Sequence, residues 1–186
     1  MGQRLSTNAQ LVLDDVLVPH ENVVGALDRA GTPQRLQTAN SWVLLGALCV
    51  GIARSAFEEA LNYAKYRKIM GKPALEHQLI AAKLADMHWQ IQAARALVWK
   101  AARHYDTHEI PDVTLAQGAK VFASDVAVKV TSEALQVHGG IGYIKGMLVE
   151  KLYRDAKVTQ IYECPNELLR VSTAAHLAQA ARPALG

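Results

Sequence analysis

The run IAAKLADMHWQIQAARALVWKA, residues 80–101, decides the fold. Its apolar positions Ile80, Leu84, Met87, Ile91, Ala94, Val98 and Ala101 recur in alternating steps of four and three. That alternation keeps one stripe facing its neighbours and is the seam of a left-handed helical bundle. Downstream, Pro111 separates this helix from another whose stripe is Leu115, Ala119, Phe122, Val126, Val130, Ala134 and Val137. Upstream, a helix beginning near Gln34 is apolar nearly all round from Trp42 to Ala53, as a central buried helix would be. It turns amphipathic through Phe57, Ala60, Leu61 and Ala64 and should stop near Gly71 and Pro73. A last helix follows Pro165, which suits a first helical turn, with Asn166 as a cap partner. Short links between these helices predict an all-α fold, an antiparallel four-helix bundle spanning 34–186.

Residues 1–33 read differently. LVLDDVLVP, residues 11–19, is short, β-branched and closed by proline, so it predicts a strand. A lone strand cannot satisfy its own backbone groups and needs a sheet from elsewhere. Gly25 to Pro33 reads as a turn-rich linker.

Composition narrows the function. Of the 186 residues, 51% are hydrophobic and the net charge is only +3, with the basic residues dispersed. No nucleic-acid footprint is present. Cys49 and Cys164 lie far apart without metal-ligand spacing, which fits a reducing compartment. No uninterrupted apolar run of spanning length predicts membrane insertion. An intracellular protein is expected, in a bacterial cytoplasm or a mitochondrial matrix. Di-metal bundles place glutamate three residues before histidine, and none of the seven histidines has one there. His104 and His108 share a helical face, but a polar helix end before Pro111 accounts for them, and no metal is expected.

The chemistry-bearing segment is QVHGGIGYIKGMLVEKLYRDAKVTQIYECPNELLR, residues 136–170. Glu163 stands among Ile161, Tyr162 and Cys164. Burial there would disfavour the charged carboxylate and make it a competent general base; the plainer reading is a helix-start cap or ion pair. Gly139, Gly140 and Gly142 either release the chain from the helix through positive φ or expose backbone N–H groups to a phosphate or adenine.

This segment resembles the C-terminal signature of the acyl-CoA dehydrogenases. The matching residues are Gln136, Gly139, Gly140, Gly142, Lys151, Arg154, Asp155, Ala156, Ile161, Tyr162, Glu163 and Glu167. A second segment, YAKYRKIMGKPALEHQ (63–78), resembles the family pattern Ala-x-x-Arg-x-x-Phe-Gly-x-Pro followed by His-Gln. The resemblance implies FAD as cofactor and an acyl-CoA substrate. Arg67 would meet the flavin pyrophosphate and Gln78 another part of the cofactor. Gln136, Gly139 and Gly140 would contact the adenosine-diphosphate half of a neighbouring subunit's FAD. Glu163 would remove the substrate α-proton, and its N–H would help polarise the thioester carbonyl. The implied partners are an electron-transfer flavoprotein or similar acceptor and a homotetramer, or a complex with a chain supplying further domains. Residues 1–33 would end the family's middle β domain.

Departures matter too. Met70 replaces a usual phenylalanine, Gly146 a usual acid, and Cys164-Pro165 the usual Gly-Thr. Around Asn40 to Trp42 neither the arginine nor the alternative glutamate base of the family is present. Glu163 is therefore the base candidate, and the alternative role is a non-catalytic helical assembly subunit.

Overall fold

The computed structural model describes residues 1–24 and 31–180. Five α-helices are found among them: α1 Gly31–Tyr66, α2 Gln78–Thr107, α3 Val113–His138, α4 Leu148–Lys157 and α5 Asn166–Ala180. The bundle rests on α1, α2 and α3, which run up, down and up. Every seam residue of α2 from Leu84 to Ala101 is buried. On α3 the expected stripe is buried from Ala119 through Val137 except Phe122, which faces out at 40% exposure. Of the predicted linker, residues 25–30 lie outside the described residues, and 31–33 already open α1.

Small residues let α1 and α3 approach closely. Ala53, Ala56, Ala60 and Ala64 on α1 and Ala116, Ala119, Ala127 and Ala134 on α3 are fully buried. At Gly46 a Cβ would stand 2.9 Å from Val98 Cγ2 and 3.3 Å from the Ala119 carbonyl, so the backbones meet where a side chain would intrude. Ala39–Tyr66 is long and apolar enough to cross a membrane by length and composition alone. Its alanine face forms the bundle core instead.

The break after α1 is a tight hairpin, β1 Lys68–Ile69 against β2 Lys72–Pro73. Met70 and Gly71 both take positive φ, 49° and 83°, as the favoured two-residue hairpin turn requires. His77 Nε2 lies 3.0 Å from the Ile69 carbonyl and fastens the hairpin to the start of α2. Asp112 caps α3 by accepting from the N–H groups of Thr114 (2.8 Å) and Leu115 (3.3 Å). The Thr114 hydroxyl and these amides hold the Asp112 carboxyl below the usual range. Asp112→Ala is expected to lose about 1 kcal/mol of stability at neutral pH by chemical denaturation. Because the folded pKa is depressed, the difference should be present above the ordinary carboxylate pKa and fade as pH falls through the folded value.

Two expectations change. Residues 11–19 form no strand: Leu11, Val12, Leu13 and Leu17 are 80–96% exposed, and no described strand lies beside them to take their backbone groups. The glycine loop is more structured than its sequence suggested. A 3-10 turn, Gly139–Tyr143, leads into α4, whose buried Val149, Leu152 and Ala156 pack on the bundle. The first residues of the chain dock on α4. At Gly2 a Cβ would stand 2.3 Å from the Arg154 carbonyl, the Gln3 N–H donates to the Asp155 carboxylate, and Arg154 Nη1 donates to the Met1 carbonyl at 2.6 Å.

Candidate functional site

Glu163 occupies a turn between a short 3-10 segment, Val158–Gln160, and α5. Glu163 and Cys164 both take left-handed backbone, φ 54° and 88°. Residues other than glycine pay for that conformation with crowding at Cβ, so neighbouring groups must hold it. The Trp42 indole N–H donates to the Glu163 carbonyl oxygen at 2.6 Å. The Ser41 hydroxyl donates to Glu163 Oε2 at 2.7 Å. Behind the turn, Lys120 Nζ donates to the Cys164 carbonyl at 2.8 Å and to Asn166 Oδ1 at 2.7 Å. Asn166 is 1% exposed and spends its amide on Ser124 Oγ (2.8 Å) and Asp125 Oδ1 (2.9 Å), so it ties α5 to α3 and is not a cap. Gln160 and Arg170 converge on the same Asp125 carboxylate.

The Glu163 side chain is exposed, as is Ile161, so this chain does not itself supply the apolar enclosure expected around the carboxylate. Tyr162 is half-buried, and its hydroxyl accepts from Gln3 Nε2 at 3.2 Å. Burial raises that phenol's pKa, and the Gln3 bond acts against the rise. Arg154 and Asp155 do not pair with each other. Arg154 binds Glu150 at 2.7 Å, and Asp155 is paired with Lys151. Burial pushes the Asp155 carboxyl up, and the bonds from Lys151 and Gln3 outweigh it, leaving it below the usual range.

The remaining candidates gather at the other end of the bundle. Arg67 follows the last residue of α1, Gln78 opens α2, and Gln136, Gly139 and Gly140 lie at the end of α3. Tyr63 stacks on the buried His138 ring at 4.4 Å and joins the ends of α1 and α3. Arg67, Gln78, Gln136, Gly139 and Gly140 are all exposed. Among Gly139, Gly140 and Gly142 only Gly139 uses positive φ, 66°; Gly142 is needed for space, since a Cβ there would meet His138 Cβ at 2.7 Å. Beside Gly139 and Gly140 a Cβ would meet nothing within 4 Å, which leaves their backbone open to approach. Along α1, the 22 steps from Ser41 to Tyr63 span about 33 Å. One chain therefore holds Glu163 and the Arg67–Gln136 group towards opposite ends of α1.

Sequence reasoning missed Ser41, the role of Trp42, and Lys120. Lys120 had a signal: it lies four residues after Ala116 and three before Ala123, inside the buried face of α3.

The family profile for the acyl-CoA dehydrogenase C-terminal domain matches residues 36–178. The chain belongs to the acyl-CoA dehydrogenase family. It is 39% identical over 171 residues to the cyclohexane-1-carbonyl-CoA dehydrogenase of Geobacter metallireducens, covering 92% of this chain and 45% of that protein. Among solved structures, the butyryl-CoA dehydrogenase of Megasphaera elsdenii superposes with a TM-score of 0.86 at 41% identity, over 90% of this chain and 43% of that one. A structure from work on the electron transferring flavoprotein of Acidaminococcus fermentans superposes at 0.85 and 36% identity, over 89% and 43%. The chain thus spans somewhat less than half the length of these relatives.

Proposed function

We propose that the chain is the C-terminal part of a flavin-dependent acyl-CoA dehydrogenase that forms the α,β double bond of an acyl-CoA thioester. The observation that carries this reading is the Glu163 turn, which presents an exposed carboxylate with its backbone gripped from two sides. Glu163 accepts the substrate α-proton, and general-base help of this kind contributes roughly 10²–10⁴-fold. Ser41 holds one carboxylate oxygen and so orients the other towards substrate. The N–H of Glu163 is available to the thioester carbonyl, where a hydrogen bond acidifies the α-carbon.

The residues at the opposite end suit FAD. A planar guanidinium at Arg67, amides at Gln78 and Gln136, and open backbone at Gly139 and Gly140 provide donors for pyrophosphate and adenine. FAD, when bound, supplies the acceptor for the β-hydride. The two ends then serve different sites, with Arg67, Gln78 and Gln136 reaching a neighbouring subunit's cofactor in a homo-oligomer. An electron-transfer flavoprotein or similar acceptor would reoxidise it.

The test is anaerobic titration of the flavin-loaded assembly containing this chain with a panel of acyl-CoAs of different length. Bleaching of the flavin band with formation of enoyl-CoA is the expected result. A flavin-loaded assembly that no acyl-CoA bleaches would sink the reading and favour a helical assembly role.

A further inference from the structure

Lys120 is the largest side chain among those most deeply buried in the described residues, at 0% exposure in the middle of α3. A buried ammonium is unfavourable unless oxygen acceptors surround it, and replacing it by an apolar side chain leaves those acceptors without a donor. In an alanine-lined core the Lys120 ammonium is therefore bound to the two oxygens it meets. Its two oxygen acceptors, the Cys164 carbonyl and Asn166 Oδ1, flank Pro165, immediately after the left-handed pair Glu163–Cys164. Proline has no N–H of its own to offer the turn. The Glu163 carbonyl is taken by Trp42 of α1. Two successive carbonyls are thus pinned by side chains from two different long helices. Burial lowers the pKa of the Lys120 ammonium.

We propose that Lys120 is a positioning residue, which holds the Cys164 carbonyl from inside the bundle and thereby fixes where the Glu163 carboxylate stands over Ser41. The inference rests on the reading of Glu163 as the base, although the clamp itself is a matter of geometry. Cys164 gives the clamp a particular purpose here, because a side chain at φ 88° is strained where a glycine would not be. Relaxation of that strain in the absence of the ammonium would swing the Glu163 peptide. A misplacement on the order of 1 Å in a reacting group can lower a rate about 10²-fold.

The experiment uses Lys120→Met, which keeps the volume and removes the charge, and Lys120→Gln, whose amide can still reach one acceptor. Both are made in the flavin-loaded assembly and compared with Glu163→Gln. Flavin reduction is followed by stopped flow, and backbone amide exchange is followed by mass spectrometry. For Lys120→Met the expected result is reduction slowed about 10–100-fold at saturating acyl-CoA, with apparent substrate affinity changed less than threefold. Amide exchange should accelerate over 162–166 and stay unchanged over α2, and Lys120→Gln should recover part of both effects. Parental reduction and exchange in Lys120→Met would overturn the proposal. Loss of the helical circular-dichroism signal in both variants would also overturn it, assigning Lys120 to folding alone. If Lys120→Met alters exchange over 162–166 while Glu163→Gln reduces flavin at the parental rate, the clamp stands and the base assignment fails.

Discussion

Glu163→Gln, in a flavin-loaded assembly containing this chain, is expected to slow flavin reduction by acyl-CoA roughly 10²–10⁴-fold while the flavin stays bound. The amide keeps the shape of the side chain, and its oxygen can still accept the Ser41 hydroxyl that now donates to Oε2 at 2.7 Å. The Trp42 and Lys120 bonds go to main-chain carbonyls and are unaffected by the substitution. What disappears is the capacity to take a proton. Glu167 is not placed to replace it, since it lies in the first turn of α5 and is exposed, and position 41 carries serine. Stopped-flow reduction with saturating acyl-CoA is the measurement. A variant that reduces flavin within a few-fold of the parent would remove Glu163 from the mechanism.

What the sequence revealed and what it concealed divide along physical lines. The seam of α2 was legible because a packed helix repeats its apolar contacts at a fixed period, and Leu84 to Ala101 obey that period without exception. The lower part of α1 was legible for the same reason, with Ala60 and Ala64 in step. α4 was concealed by its brevity. Ten residues with only Val149, Leu152 and Ala156 as a buried apolar stripe, preceded by a glycine-rich loop, give too few repeats to stand out. The strand expected over 11–19 had the local preferences of a strand, but strand pairing is a long-range property that local preference cannot supply. The same limit governs the site. The residue types at 67, 78, 136 and 163 were readable as cofactor and base candidates, yet their division between two ends of the bundle follows only from α1 being one continuous helix. The polar contacts of Glu163 were not legible, because they come from residues far away in sequence. Ile161 points outward, while Ser41 and Trp42, some 120 positions away, make the contacts.

That division predicts complementation between defective chains. Arg67→Ala should weaken flavin retention, because a planar guanidinium meeting pyrophosphate is not replaceable by the remaining amides. Glu163→Gln should retain flavin and fail to reduce it. If each site takes Glu163 from one chain and Arg67 with Gln136 from its neighbour, a hybrid of the two variants contains one site with both defects and one with neither. Random mixing makes half the dimers hybrid, so co-expressed chains should recover about a quarter of the parental fast-phase reduction amplitude, more than the weakened variants give when expressed separately. The motivating observation is that about 33 Å of continuous α1 separates the Ser41–Glu163 contact from the Tyr63–His138 stack within one chain. The readouts are flavin per chain and amplitude of acyl-CoA reduction, in samples co-expressed at several ratios. The recovered fraction should be largest at equal expression and fall towards either excess. Amplitude that never exceeds the sum of the separate variants would show that each site is completed within a single chain, and the assignment of Arg67 to a neighbour's cofactor would be wrong. Recovery would tie both ends of the bundle to one reaction and make assembly a condition of activity.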